Sequence, residues 1–195
     1  MTKGHSSHAV QYVPFQALTP SSELIDGLDR IFFEASSVRV FASDCERARF
    51  RDRWLGRFLR LFPENGFVAL APEDDVVGYV VGCLDDPARC ALFEDIGYFP
   101  AFSDLTALYR AHLHINVCAG WRGGGIGEAL IDRFAGRARE QGCAGVHIVT
   151  SEGARNVRFY NRLGFVQRRR LVWRGKTLVF LGRDLCTGPS GRLRQ

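Results

Sequence analysis

The length, composition and charge of the chain exclude several classes of protein. Its 195 residues are 46% hydrophobic and 24% charged, which is enough for one globular domain with a buried core. No apolar run is long enough to cross a bilayer, and Met1–His8 lacks the apolar core of a signal peptide. The six cysteines include no CxxC pair, a pattern typical of reduced thiols in a cytoplasm. We therefore predict a cytoplasmic protein without a membrane partner.

The charge balance bears on the partners of the chain. A net charge of +5 is modest, and arginines around a polyanionic ligand explain it more economically than nucleic acid does. We therefore predict no nucleic-acid partner. RNA or DNA binding through the arginines is the weaker alternative, and it would depend steeply on salt. The sequence leaves the oligomeric state open, a homodimer included.

The first half of the chain carries regular helix and strand patterns. We expect residues 1–9 to be disordered, a single domain over residues 10–186, and a flexible tail at 187–195. The predicted elements are a strand at Val10–Phe15, a helix capped by Ser21 or Ser22, a helix from Ser43 or Asp44 to Leu61 that stops at Pro63, and strands at Phe67–Ala71 and Val76–Leu84.

The segment from 85 to 110 is the least regular part of the sequence. Five aromatic residues follow one another among small and acidic ones: Phe93, Tyr98, Phe99, Phe102 and Tyr109. A connection of this length is usually either functional or ordered by its own short helices. The aromatic side chains therefore either cover the core or form a lid over a binding site, where Glu94, Asp95 or Asp104 would attract a cation.

The next predicted strand, Ala111–Cys118, carries His112, His114 and Asn116 on one face. Two histidines on one face could hold a metal, but no third ligand at a suitable spacing accompanies them, so we predict no metal. A general base is the better functional interpretation, because imidazole titrates near neutral pH.

The elements after this strand follow a simple order. A helix carries a water-facing side and an apolar stripe, and the stripe consists of Leu130, Ile131, Phe134, Ala135 and Ala138. A strand at Val146–Val149, a short helix that Gly164 ends, and a hairpin beyond Phe165 complete the pattern. The basic tripeptide Arg168-Arg169-Arg170 in this hairpin is expected to be a solvated surface patch.

The glycine-rich turn Val117–Gly127 is the most informative motif. Its glycines let the backbone curl with the amides pointing inward, because no side chain blocks the approach of a ligand. Arg122 adds a cation, and the helix that follows adds the partial positive charge of its N-terminus. The turn is therefore a candidate cradle for a phosphate-bearing ligand.

Spacing excludes two familiar nucleotide-binding loops at this turn. A P-loop needs Lys followed by Ser or Thr, and Ile126 and Gly127 occupy those positions. A Rossmann fingerprint needs glycines at i, i+2 and i+5, and the third position falls on Glu128 or Leu130. The motif that remains is Arg-Gly-x-Gly-x-Gly at a strand-to-helix junction.

A second motif lies downstream, in Gly153–Phe165, where a short helix carries Phe159-Tyr160 before Leu-Gly-Phe. Together the two motifs resemble the signatures of the GNAT N-acetyltransferases, over about Ala111 to Phe165. The resemblance implies an α/β (α+β) fold with a mixed sheet of about six or seven strands, flanked by about four helices and splayed at the central strand. It also implies acetyl-CoA as the co-substrate.

The resemblance assigns two sets of residues to the cofactor. The pyrophosphate would bind the backbone of Arg122, Gly123, Gly124, Gly125, Ile126 and Gly127, and the pantetheine arm would pair with Val117, Cys118 and Ala119. The Cys118 thiol is either a nucleophile or, more simply, a small apolar side chain. Asn156 lies one helical turn before Tyr160 and could bond to the arm, although the family commonly has its Asn where Gly153 stands here.

The resemblance also implies catalytic residues. Tyr160 stands where the family's tyrosine protonates the departing thiolate, a task that suits a neutral phenol. His114 is the candidate base, since arylalkylamine acetyltransferases place a His-x-His pair on this strand. Aligned on the glycine turn, however, their histidines fall one residue away, and such an offset reverses the face. His112 and His114 therefore either serve catalysis or face a packed helix layer.

These observations predict an acetyl-CoA-dependent N-acetyltransferase that moves an acetyl group directly to an amine of a small molecule or peptide. The alternative is a catalytically inactive GNAT-like domain that binds coenzyme A as a structural or sensing ligand. The run Tyr109–Asn116 also resembles stand-alone bacterial acetyltransferases related to the acetyltransferase-like domain of O-GlcNAcase, which concerns ancestry and not substrate.

Overall fold

Seven strands form a mixed sheet in a computed structural model that describes residues 10–185. The segments expected to be disordered or flexible, 1–9 and 187–195, lie outside the described residues. The strands are β1 Gln11–Pro14, β2 Phe67–Leu70, β3 Val76–Cys83, β4 Ala111–Val117, β5 Gly145–Ser151, β6 Val166–Trp173 and β7 Lys176–Asp184. Their order is β1-β2-β3-β4-β5-β7-β6, with β4 and β5 parallel and the β1–β2, β2–β3, β5–β7 and β6–β7 pairs antiparallel. The predicted mixed sheet is confirmed.

The helical segments agree with the prediction except for one. They are α1 Ser22–Ala35, α2 Asp44–Arg51, α3 Arg57–Leu61, α4 Ser103–Leu108, α5 Ile126–Glu140 and α6 Asn156–Arg162. A π-turn at Asp52–Gly56 joins α2 to α3, so the second predicted helix is continuous to Leu61. The short α4 lies in segment 85–110, where order by short helices was one of the two expectations, but its position was not predicted, because no side chain caps it and it follows directly on a 3-10 turn.

The predicted N-caps of the first two helices are confirmed. The Ser21 side chain accepts a hydrogen bond from the Leu24 amide at 3.2 Å, and Ser43 accepts one from the Glu46 amide at 3.2 Å. The Glu46 carboxylate in turn accepts from the Ala42 amide at 2.6 Å, which satisfies a second donor at this helix start. Such caps fix where a helix begins, because its first amides have no partner within the helix.

The chain divides into two compact units. The first unit contains the residues up to Gly82 together with His114–Phe134, and the second contains Cys83–Leu113 together with the residues from Ala135 onwards. Strand β4 is shared between them. Its register with β5 lies in the second unit and consists of two residue pairs, Ala111 with Val146 and His112 with His147. The splay expected at the central strand stays a prediction.

In the first unit, α5 begins directly against the sheet. A Cβ atom at Gly78 of β3 would lie 3.3 Å from each of three atoms, which belong to Ile126, Leu130 and the carbonyl of Asn116. Ile126 and Leu130 are buried, so the glycine permits the close approach of the helix that follows the glycine-rich turn. A glycine at this position of β3 therefore lets α5 lie close to the sheet, and the glycine-rich turn before α5 is positioned with it.

In the second unit, the aromatic residues of the irregular segment are mostly core. Phe93, Phe99, Phe102 and Tyr109 are all buried, and Phe102 and Tyr109 pack on Phe180 of β7. The structure thus favours the core interpretation over the lid.

Several charged residues of the second unit form ion pairs with one another. Asp104, which was a candidate for attracting a cation, binds both Nη atoms of Arg169 at 2.7 and 2.6 Å. Arg168 pairs with Asp184 and Arg170 with Glu152. The basic tripeptide is therefore an exposed patch whose charges are balanced by acidic side chains of the same unit.

Candidate functional site

The glycine-rich turn adopts a backbone conformation that requires glycine at two positions. Ala119–Trp121 forms a single 3-10 turn, closed by a bond from the Trp121 amide to the Cys118 carbonyl at 2.9 Å. Gly123 and Gly125 then have φ angles of +85° and +83°. A Cβ atom at either position would meet nothing within 4 Å, so the backbone conformation and not crowding selects glycine there.

Several amides of the turn have no backbone hydrogen-bond partner within residues 10–185. The first backbone bond of α5 runs from the Ala129 amide to the Gly125 carbonyl at 3.0 Å, so the amides of residues 126–128 have no partner within the helix. Within residues 10–185, the amides of Gly123 and Gly125 also form no turn or loop bond with the backbone. These amides and the positive end of the helix dipole together form an anion-binding concavity.

Arg122 and Cys118 fix the two ends of this concavity. The Arg122 Nε atom donates to the Val117 carbonyl at 2.9 Å, which folds the guanidinium back over the turn. The Cys118 amide donates to the Val77 carbonyl of β3 at 2.9 Å. The Cys118 thiol is half-buried and lies 3.9 Å from the Nη1 atom of Arg30 in α1. Arg30 was missed by sequence reasoning, because nothing in α1 indicates a contact with a residue so distant along the chain.

The strand histidines are packed among rings. His112 is buried, with its ring centre 4.6 Å from that of Phe93. His114 is half-buried, and its ring centre lies 5.0 Å from Trp54 in the π-turn and 5.2 Å from Phe58 in α3. This is the packed helix layer that the one-residue offset from the arylalkylamine acetyltransferases suggested. Within the described residues, no group of three or more potential ligands is arranged to hold a metal.

A polar pair lies beside His114 in the first unit. The Asn116 amide nitrogen donates to the Tyr79 hydroxyl at 2.7 Å, and the Tyr79 ring is fully buried in β3. Burial raises the pKa of Tyr79 far above its usual range, so this phenol stays neutral. The bond fixes the orientation of Asn116, two residues before Cys118.

Tyr160 and Asn156 belong to the second unit. Tyr160 is 6% exposed, and its ring centre lies 5.3 Å from Phe159 and 5.3 Å from Phe165. Burial raises the pKa of Tyr160, so its hydroxyl keeps its proton at neutral pH. The exposed Asn156 accepts a hydrogen bond from the Thr150 hydroxyl at 3.2 Å. Gly164 ends α6 with a φ angle of +81°, as the sequence predicted.

A family model joins these observations. The model of the acetyltransferase (GNAT) family matches residues 28–165, which contain both sequence motifs, the glycine-rich turn and the helix that carries Tyr160. The chain therefore belongs to the GNAT family of acetyltransferases, and its class of enzyme is an acyltransferase. No curated protein matches the sequence significantly.

Solved structures show the same fold. SsHAT is 24% identical, with a TM-score of 0.67 over 91% of this chain and 99% of that chain. An N-acetyltransferase from Staphylococcus aureus Mu50 is 16% identical, with a TM-score of 0.63 over 91% of this chain and 99% of that chain. The NatC complex bound to Gag peptide and CoA is 17% identical, with a TM-score of 0.63 and the same coverages, 91% and 99%. Within residues 10–185, no helix combines the length and apolarity that a membrane span needs.

Proposed function

We propose that this chain is an acetyl-CoA-dependent N-acetyltransferase that moves the acetyl group directly to an amine of a small molecule or peptide. The observation that carries the proposal is the row of uncovered amides from Gly123 to the first turn of α5, beside the Arg122 guanidinium. An amide concavity with a fixed cation fits a pyrophosphate. Bound acetyl-CoA supplies an acetyl group activated as a thioester.

The candidate site residues have distinct tasks in this proposal. Backbone groups of Val117–Ala119 bind the pantetheine arm and stabilise the developing oxyanion. Tyr160 donates a proton to the thiolate, a task that its neutral phenol supports. His114, or a water, takes the proton from the amine. Asn156 has its carbonyl oxygen engaged by Thr150, which leaves its amide nitrogen to bind the arm.

Gly125→Val tests the cradle. A β-branched residue at a φ of +83° is strained and disturbs the amides on either side, so we expect acetyl-CoA binding to fall below detection in calorimetry. Gly136→Val in α5 is the matched control, because Gly136 has open space around it and no positive φ. Wild-type affinity in a folded Gly125→Val protein would refute the assignment of the turn.

Tyr160→Phe tests the proposed acid. The change removes one oxygen and keeps the buried ring, so we expect a 10²- to 10⁴-fold lower kcat, roughly the contribution of a general acid. Acetyl-CoA affinity should change by less than about threefold, since the phenol acts on the leaving sulfur. Steady-state rates of thiol release and calorimetry measure the two quantities. An unchanged kcat would exclude Tyr160 as the acid.

The packing of His114 between Trp54 and Phe58 favours a second candidate function, a coenzyme A-binding domain without catalysis. A base must reach the attacking amine and an acid must reach the leaving sulfur, and the rings of His114 and Tyr160 each pack against two aromatic rings, which limits their access. Acetyl-CoA binding without thiol release across a panel of amines and peptides would establish this second function.

A further inference from the structure

A cleft of about 780 Å³ lies in the first unit, between the end of α1, the connection to α2 and the start of α2. Arg30 and Phe33 of α1, Arg39 and Phe41 of the connection, and Arg47 of α2 are in its wall. Neither sequence motif includes these residues. Arg30 connects the cleft to the end of β4, because its guanidinium also lies beside the Cys118 thiol.

Neutral groups hold all three arginines in place. The Arg30 Nη2 atom donates to the Val76 carbonyl at 3.1 Å. The two Nη atoms of Arg39 donate at 3.1 Å to carbonyls at the end of α1. The Arg47 guanidinium lies 3.8 Å from the centre of the Phe33 ring. Each guanidinium has five N–H donors, so each keeps donors for a ligand.

None of the three arginines forms an ion pair with a carboxylate among the residues that the structure describes, although Glu34 and Asp44 line the same cleft. Elsewhere arginines are paired with carboxylates: Arg51, Arg60, Arg89, Arg168, Arg169 and Arg170. The cleft thus holds three oriented guanidinium groups that form no ion pair with its two carboxylates, and guanidinium donors of this kind are the usual means of recognising a carboxylate or phosphate.

The same cleft offers apolar surface beside this charge. Phe33 and Phe41 form part of its wall with ring centres 6.1 Å apart. Val40 is 85% exposed, and Val38 is 38% exposed. A ligand that covers these side chains would gain from burying them. The surface therefore suits a molecule with an anionic group and an apolar or aromatic body.

We propose that this cleft binds the acceptor, and that the acceptor is an apolar or aromatic amine that also carries a carboxylate. The inference rests on the proposed acetyl transfer and names its substrate class. Polyamines and other polycations are expected to be poorer acceptors, because they carry no anionic group for the arginines to bind. Phosphate of coenzyme A is the other source of an anion, and the apolar wall favours the acceptor over it.

Binding of a substrate fragment tests the cleft without turnover. Calorimetry would compare 3-phenylpropanoate with 3-phenylpropan-1-ol, which has a similar shape and no charge. We expect the alcohol to bind the wild type at least about tenfold more weakly, since a charge-assisted hydrogen bond is lost. Arg30→Gln and Arg47→Gln should each weaken the anion by about tenfold, whereas Arg89→Gln, an exposed arginine of the second unit, should not.

The outcomes separate this proposal from the proposed function. Equal binding of anion and alcohol, or wild-type anion binding by both folded cleft variants, overturns the assignment of the cleft. If the two variants weaken acetyl-CoA but not its 3′-dephospho form, the arginines serve the cofactor and the assignment is also overturned. If the wild type binds 3-phenylpropanoate but not acetyl-CoA, the proposed function fails while the anion site stands.

Substrate turnover completes the test. Phenylalanine and 2-phenylethylamine differ only in a carboxylate, so thiol release should favour phenylalanine in kcat/KM, and Arg47→Gln should reduce that preference about tenfold. A preference for 2-phenylethylamine or for a polyamine such as spermidine would overturn the proposed substrate class.

Discussion

His147 places a titratable ring in the core of the second unit. The ring is 1% exposed and is stacked on Phe180, with ring centres 4.5 Å apart. Its Nδ1 atom contacts the Tyr109 carbonyl and therefore carries the proton of the neutral ring. Its Nε2 atom is buried and has no hydrogen-bond partner among the residues that the structure describes. Burial lowers the pKa of His147 to about 4, because a charged ring would lose its hydration there, and the backbone of Tyr109 and Ala111 and the charge of Asp86 offset only part of this.

This depressed pKa predicts a stability that falls with acid. Because an unfolded histidine titrates near 6.5, the unfolded state binds more protons than the folded state between pH 6.5 and about 4. The stabilisation is complete above pH 6.5, and about 3 kcal/mol is lost as the pH falls to 4. Urea titrations at several pH values would measure this dependence.

His147→Phe should flatten that pH dependence, whatever its effect on stability at neutral pH. Phe99→Leu is the control, because it disturbs the same ring cluster without removing a titratable group. The control should keep the slope of the wild type. A His147→Phe protein with an unchanged slope would show that another group is responsible.

At the scale of elements, glycines in two neighbouring strands leave room for the ring of Tyr109. Gly145 of β5 and Gly182 of β7 lie against Tyr109, and a Cβ atom at Gly182 would be 3.0 Å from two atoms of that ring. Tyr109 is buried and precedes β4, so its ring helps to set where that strand begins in the second unit. Neither glycine has a positive φ, so the lack of room for a Cβ atom beside Tyr109 explains why glycine stands at both positions.

Gly182→Ala should therefore destabilise the protein by about 1–3 kcal/mol, the usual cost of overpacking a core. Gly136→Ala is the matched control, since open space surrounds it in α5 and alanine favours a helix. Thermal unfolding measures both. Equal unfolding temperatures for Gly182→Ala and the wild type would show that the ring can move aside.

Element prediction succeeded where a local signal exists. Serine caps marked the starts of α1 and α2. The five apolar residues of the predicted stripe in α5, of which Leu130 is the first and Ala138 the last, are all fully buried. The sequence did not indicate the position of α4, which lacks a side-chain cap and packs against the aromatic core through Leu105. The π-turn was also missed, because Asp52–Gly56 has the composition of an ordinary helix.

Part of the candidate site could be predicted from the sequence, again because some of its residues carry a local signal. Gly123 and Gly125 carry a local backbone requirement that spacing reveals. Arg30 and Tyr79 carry none, since each acquires its place from partners far along the chain, Cys118 and Asn116. Contacts of this kind depend on the sheet order, which the motifs alone do not specify.

For the molecule as a whole, bound acetyl-CoA should act as a stabiliser. A ligand at 100 times its Kd adds about 2.7 kcal/mol to the free energy of unfolding. We therefore expect a rise in Tm with acetyl-CoA, and none with ATP or NAD, because the turn lacks the features that those nucleotides require. Differential scanning fluorimetry would measure this. A rise with ATP equal to that with acetyl-CoA would indicate a generic phosphate site.

The π-turn at Asp52–Gly56 changes the direction in which side chains after it point relative to those before it. Seven residues make almost two full turns of α-helix, so Arg51 and Phe58 would point the same way in a regular helix. The extra residue of a π-turn rotates everything after it by roughly 100°. Arg51 can thus reach Asp29 of α1 while Phe58 reaches His114 of β4. Deleting one residue here would therefore give a regular helix whose second half keeps its direction towards the core.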